Sequence, residues 1–165
     1  MTGTDQVPSG FSVGTWSVPV TLPDAGSYRV FADFAVDDKP YTLADDLTVD
    51  GSVRSQALPA PARSVDVDGM RVTLTEGASR AGEESELSFS VTRDGAPVDV
   101  EPYLGARGHL VALREGDLAF LHVHPDADRL RFGATFPGAG RYRLFLQFQV
   151  DGQVHTAAFT QAVGR

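Results

Sequence analysis

The chain has 165 residues, carries a formal net charge of −8 and contains no cysteine. The acidic balance, with no cluster of Lys and Arg, argues against binding to the phosphate backbone of nucleic acids, which needs concentrated positive charge. The lack of cysteine excludes disulfides, thiolate metal sites and cysteine nucleophiles.

The first part of the chain contains one copy of an internal repeat. Residues 14–50 align without gaps with residues 128–164, at an offset of 114 residues. The two segments share the pattern P-x-A-G-x-Y-R-x-F-x-x-F-x-V, whose alternating apolar residues indicate a strand with one buried face. The Tyr that follows the Gly is typical of the tyrosine corner of β-sandwiches, where the hydroxyl binds the backbone.

Residues 11–50 match only the last three strands of the longer segment that follows. Three strands cannot bury both faces of a sandwich, so the sequence predicts an incomplete repeat here. We expect its apolar face to pack on the neighbouring domain or against the same segment of a second chain. The candidate residues of that face are Val18, Val20, Tyr28, Val30 and Phe34. Residues 51–68, rich in Pro, Ala and Ser, predict a linker.

Residues 69–165 show the period of half-buried strands throughout, with no helical pattern. Asp151-Gly152 lies between two alternating runs, which is a strong signal for a two-residue hairpin. A second hairpin is predicted over 108–124, turning at 114–117. Seven short strands in this segment predict a complete immunoglobulin-like β-sandwich. The predicted fold class is therefore all-β, with the sandwich preceded by a half-repeat of the same module.

Histidine is scarce in the chain, which has four, yet His109, His122 and His124 fall within sixteen residues. If Arg114 pairs with Asp117 at the turn, His109 lies directly opposite His122, where facing Cβ atoms are roughly 4.5–5.5 Å apart. His122 and His124 share a face because side chains alternate along a strand. His155, three residues after the Asp151-Gly152 turn, is expected at the same end of the sandwich.

Such a cluster is a candidate metal site. Imidazole suits Cu(II), Zn(II) and Ni(II), whereas a blue-copper centre would need a cysteine thiolate. The sequence thus predicts a Cu(II) or Zn(II) site with the ligands His109, His122, His124 and His155. Candidates for an additional oxygen ligand are Glu101, Tyr103, Asp126 and Asp128. The alternative is that these histidines are ordinary polar residues of a half-exposed strand.

The segments YLGARGHLVALREGDLAFLHVHP (103–125) and FPGAGRYRLFLQFQVDGQVHTAAF (136–159) resemble a group of bacterial exported or membrane-anchored β-domains. These are described as heavy-metal-binding proteins and are related to YtkA-like and FixH-like domains. Residues 14–34 are similar to the same module, but the G-H…H-x-H-P hairpin that would precede them is missing. By position, the resemblance implies His109, His122 and His124 as metal ligands. It also implies an exported or cell-envelope location, although the first residues show no signal-peptide pattern.

Two functions remain open from the sequence. The first is a non-catalytic metal-binding module, acting as a carrier or sensor in the cell envelope. The second is a metal-free structural or protein-interaction sandwich. An enzyme is not expected, because there is no Ser-His-Asp spacing, no paired carboxylates at a strand end and no phosphate loop. The expected partners are a metal ion, an envelope protein and a second copy of the chain bound through residues 11–50.

Overall fold

The computed structural model describes residues 11–12, 15–37, 39–54, 56–76, 79–123 and 129–165. This part of the chain consists of strands, turns and irregular segments, which confirms the predicted all-β class. It contains no helix long and apolar enough to cross a membrane. The chain divides into two compact units, Met1–Ala57 and Leu58–Arg165.

The first unit is dominated by one long hairpin. Two short strands, β1 (Phe11–Ser12) and β2 (Thr15–Trp16), pair with each other. The strands β3 (Gly26–Val36) and β4 (Lys39–Val49) pair antiparallel along their whole length. The Tyr28 hydroxyl donates a hydrogen bond of 2.7 Å to the carbonyl of Asp24 at the start of β3.

The described residues of the second unit form ten strands. They are β5 (Ser64–Val67), β6 (Met70–Glu76), β7 (Ser79–Arg80), β8 (Glu84–Arg93), β9 (Ala96–Pro97), β10 (His109–Arg114), β11 (Phe120–Val123), β12 (Arg131–Thr135), β13 (Gly140–Val150) and β14 (Gln153–Gly164). One sheet has the order β11-β10-β13-β14-β7, in which β7 runs parallel to β14. The other has the order β12-β8-β6-β5, with β9 added beside β8.

Both sheets contribute to one apolar core. Alternate residues of β13 point into it, and Leu144, Leu146 and Phe148 are fully buried there. Phe89 of the second sheet lies 5.5 Å from the ring of Phe159 in the first, measured between centroids. This contact shows that the inner faces of the two sheets pack against each other.

A tyrosine closes one end of this core. Tyr142 is fully buried, and its ring packs edge-on against Phe136 at 4.8 Å. Its hydroxyl donates a hydrogen bond of 2.8 Å to the carbonyl of Gly138. A buried hydroxyl needs such a partner, because leaving it unpaired costs about 1–3 kcal/mol. The strand β13 is thereby joined to the loop that precedes it.

The hairpins β3–β4 and β13–β14 are equivalent at the offset seen in the sequence. β3 begins and ends 114 residues before β13, and Tyr28 binds Asp24 as Tyr142 binds Gly138. The turns also agree, since Asp37 and Asp151 both have a positive φ, 49° and 53°.

Two of the predicted boundaries are wrong. The linker predicted over 51–68 ends earlier, because residues 64–67 form β5 and pair with β6. The third strand expected in residues 11–50 would align with β12, but residues 17–23 form no strand. β12 makes its ladder with β8, and the described part of the first unit has no counterpart of β8 to supply those hydrogen bonds.

The two tyrosines provide a first prediction. Tyr142→Phe should lower the free energy of unfolding by about 1–2 kcal/mol, because the part-buried carbonyl of Gly138 loses the donor supplied by the buried tyrosine. Tyr28→Phe is the matched control and should cost less than about 0.5 kcal/mol, because water can reach the half-buried Tyr28 site. Urea denaturation of the full chain measures both. Equal losses for the two variants would contradict this account of the buried corner.

A second prediction concerns the division of the chain. A fragment of residues 58–165 should fold alone and unfold cooperatively, since it contains both sheets and the whole core. A fragment of residues 69–165 should melt at a lower temperature, because it lacks β5 and the half-buried Val65 and Val67 that pack on the core. Circular dichroism melts compare the two. If the longer fragment is unfolded, the core needs the first unit and the division is wrong.

Candidate histidine site

The turn between β10 and β11 decides which histidines face each other. Its closing hydrogen bond runs from the Arg114 N–H to the Ala119 carbonyl, at 3.1 Å. The Asp117 carboxylate accepts from the Arg114 guanidinium and from the Ala119 N–H, and Leu118 has a φ of 52°. The Arg114 guanidinium lowers the pKa of Asp117 to about 2, so this carboxylate stays charged near neutral pH. These contacts build a longer turn than the predicted one.

The longer turn moves the hairpin register by two residues. His122 lies opposite Val111, and the prediction that His109 faces His122 is therefore wrong. A shift of two residues keeps every position on its original face, whereas a shift of one would reverse it. In register terms, His109, Val111 and His122 still belong to the same face. The side chain of His122, and all of residues 124–128, lie outside the described residues.

His109 is half-buried at the first position of β10. Its Nε2 lies 2.9 Å from the backbone carbonyl of Tyr103, and the two rings pack edge to face at 5.7 Å. Because a carbonyl can only accept, Nε2 carries the proton. In the neutral ring, Nδ1 then has the lone pair that a metal ion would need.

His155 lies in a different environment. It is 8% exposed, and its Nδ1 donates a hydrogen bond of 2.7 Å to the Asp68 carboxylate in the turn between β5 and β6. Its ring also packs on Phe148 at 5.6 Å. Since β14 and the β5–β6 turn belong to different sheets, this contact joins the two sheets at one end of the core.

His109 and His155 lie at the same end of the first sheet but on opposite faces. His109 pairs with Gln147, whereas His155 pairs with the adjacent residue, Phe148. Neighbouring residues of a strand point to opposite sides. The structure therefore brings His155 to the core side and His109 to the outer side. Within the described ranges, no three His, Asp or Glu side chains are grouped to hold a metal ion.

The candidate oxygen ligands also lie in different environments. The Glu101 carboxylate accepts from the Gln149 side chain at 2.8 Å and from the Gly152 N–H at 3.1 Å, and so fixes the β13–β14 turn. Tyr103 contacts His109 through its carbonyl and its ring. Asp126 and Asp128 lie outside the described residues.

Asp68, the partner of His155, could not be predicted from the sequence. The two residues are 87 positions apart, and no local pattern links them. The Tyr103 carbonyl could not be predicted either, because any residue type could supply it. Both partners depend on which loops the fold brings to this end of the sheet.

No curated protein and no solved structure matches the chain. The model of a protein family described as "Domain of unknown function (DUF8832)" matches residues 65–165. This span begins within β5 and includes both sheets, their core and all four histidines. The chain therefore belongs to the DUF8832 family.

Proposed function

We propose that the protein is a non-catalytic metal-binding module that holds Cu(II) or Zn(II) through His109, His122 and His124. The observation that carries the proposal is the hydrogen bond from His109 Nε2 to the Tyr103 carbonyl. Metal-binding histidines commonly donate their second ring N–H to a carbonyl or carboxylate, which fixes the tautomer and the ring orientation. His109 has this arrangement, with Nδ1 left to act as the ligand atom.

The hairpin register is compatible with a second ligand from β11. His122 lies opposite Val111, two residues along β10 from His109, and diagonal neighbours on one face are about 7–8 Å apart. Two imidazoles at this separation can bind one ion, with metal–nitrogen distances of about 2.0–2.1 Å. His155 is left out of the proposed ligand set, because it lies on the other face and binds Asp68.

We further propose that the second unit is an immunoglobulin-like β-sandwich and that the first is an incomplete copy of it. The strand order β11-β10-β13-β14-β7 supports this, with two sheets over a common core. The Tyr142 hydroxyl bond to Gly138 matches the tyrosine corner of such domains. The resemblance to exported metal-binding domains adds a cell-envelope location to the proposal, with a role as metal carrier or sensor.

A metal-free protein-interaction module is the second candidate function. It is favoured by the apolar side chains exposed on the β3–β4 hairpin, among them Leu43 at 61% and Val36 at 51% exposure. Large exposed apolar patches commonly mark surfaces that bind a protein. The two candidates use different parts of the chain and do not exclude each other.

The metal proposal is tested by thermal melts of metal-free protein with and without Cu(II) or Zn(II). At a free concentration one hundred times its dissociation constant, a metal that binds only the folded state adds about 2.7 kcal/mol of stability. His109→Ala and His122→Ala should each remove most of that gain. The gain should also be smaller at about pH 5.5 than at about pH 7.5, because a protonated imidazole cannot bind metal.

His155→Ala is the matched control. It should lower the melting temperature of the metal-free protein, because Asp68 and Phe148 lose a buried partner, but it should leave the metal-induced shift unchanged. If neither metal shifts the wild-type melt at about pH 7.5, the histidines do not form a metal site. If His155→Ala abolishes the shift while His109→Ala does not, the ligand set is wrong.

A further inference from the structure

One face of the β3–β4 hairpin is apolar and exposed; we call it the open face. It consists of alternate residues of both strands, which their register places on one side: Tyr28, Val30, Ala32, Phe34 and Val36 of β3 and Lys39, Tyr41, Leu43, Asp45 and Leu47 of β4. Phe34 and Tyr41 stack across the strands at 5.7 Å. Both rings are exposed by more than two fifths of their area.

The equivalent face in the second unit is buried. Tyr142, Leu144, Leu146, Phe148 and Val150 of β13 occupy the positions of the β3 residues, and none is more than 2% exposed. They belong to the apolar core to which both sheets of that unit contribute. The open face therefore has the residue pattern of a buried sheet face. A surface that covers it must itself be apolar.

The open face carries two charges that distinguish it from an ordinary core face. Lys39 and Asp45 lie on the same strand, six residues apart, which is about 20 Å at 3.4 Å per residue. They are too far apart to pair within one hairpin. No ion pair of the described residues involves either of them, and the Asp45 carboxylate accepts only from the neighbouring Asp46 N–H.

A second copy of the same hairpin would satisfy both charges. Consider two open faces packed against each other with their strands antiparallel. The two-fold axis that relates them lies between the two sheets, perpendicular to the strands, at the level of Asp33 and Thr42. Thr42 lies midway between Lys39 and Asp45, so each Lys39 then faces Asp45 of the other copy. Packed sheets are about 10 Å apart, and a lysine and an aspartate from facing sheets can together span that distance.

The same register also places apolar side chains opposite apolar side chains. It places Phe34 opposite Ala32 of the other copy, and Val36 opposite Val30. On β4, Tyr41 lies opposite Leu43. The Phe34–Ala32 contact pairs a large residue with a small one, which lets two sheets interdigitate. The apolar residues and the charged residues therefore favour the same alignment of the two hairpins.

We propose that two copies of the chain associate through their open faces in this antiparallel register. This proposal is independent of the metal site. In this register residues 30–36 and 39–45 of the two copies overlap, an area of about 24 Å by 10 Å. This area is below the usual size of a specific interface, so the dimer is expected to be weak. Its dissociation constant should be on the order of tens of micromolar.

The experiment is sedimentation equilibrium of the full chain over about 5–500 µM, in a buffer with EDTA so that metal cannot bridge two copies. Lys39→Asp and Asp45→Lys each place like charges opposite each other twice per dimer. Each should weaken association by at least about tenfold. The double variant K39D/D45K should regain it, and so should an equimolar mixture of the two single variants.

Asp50→Lys is the control, because it makes the same change in charge at an exposed residue outside the open face. It should associate like the wild type, and circular dichroism should show an unchanged fold for every variant. A wild type that stays monomeric up to about 500 µM would overturn the proposal. Association that neither single variant weakens would overturn it too, since the copies would then meet through another surface.

Discussion

The fold rests on one constraint: the apolar face of the long β13–β14 hairpin has to be removed from water. Alternate residues of β13 from Tyr142 to Val150 are buried in the apolar core to which both sheets contribute. Covering this face stabilises the unit by roughly 25 cal/mol per Å² of apolar surface removed from water. The hydrogen bond of Tyr142 and the contact of His155 with Asp68 then close the two ends of the same face.

The first unit contains an equivalent hairpin, but two of its positions carry different residues. The position of the buried Phe159 is occupied by Asp45, and that of His155 by Tyr41. An unpaired aspartate is costly in an apolar core, because the charge loses its hydration without gaining a partner. In the proposed dimer, Lys39 of the other copy offers a positive charge at that position. A faithful copy of the second sheet, which packs Phe89 against Phe159, would not provide one.

His109 and His155 have different roles because they pair with adjacent residues of β13 and so lie on opposite faces of the sheet. His155 lies on the covered face, where Asp68 and Phe148 account for its ring, and its role is to join the two sheets. His109 lies on the outer face, where the Tyr103 carbonyl orients it and leaves one ring nitrogen for a ligand. A structural histidine and a candidate binding histidine thus lie close together without sharing a site.

Local patterns were sufficient to predict most of the long strands and the Asp151-Gly152 turn, because alternation and turn chemistry depend on near neighbours in the chain. The tyrosine hydrogen bonds are equally local, since Tyr28 and Tyr142 each bind a carbonyl four residues away. The register of the β10–β11 hairpin was not predicted, because the contacts of Asp117 extend its turn by two residues. Only the tertiary structure separated His109 from His155, since the face of a residue depends on which strands pair and which side the second sheet covers. It also decided that β5 belongs to the second unit and that residues 17–23 form no strand, because a strand forms only where another strand can accept and donate its hydrogen bonds.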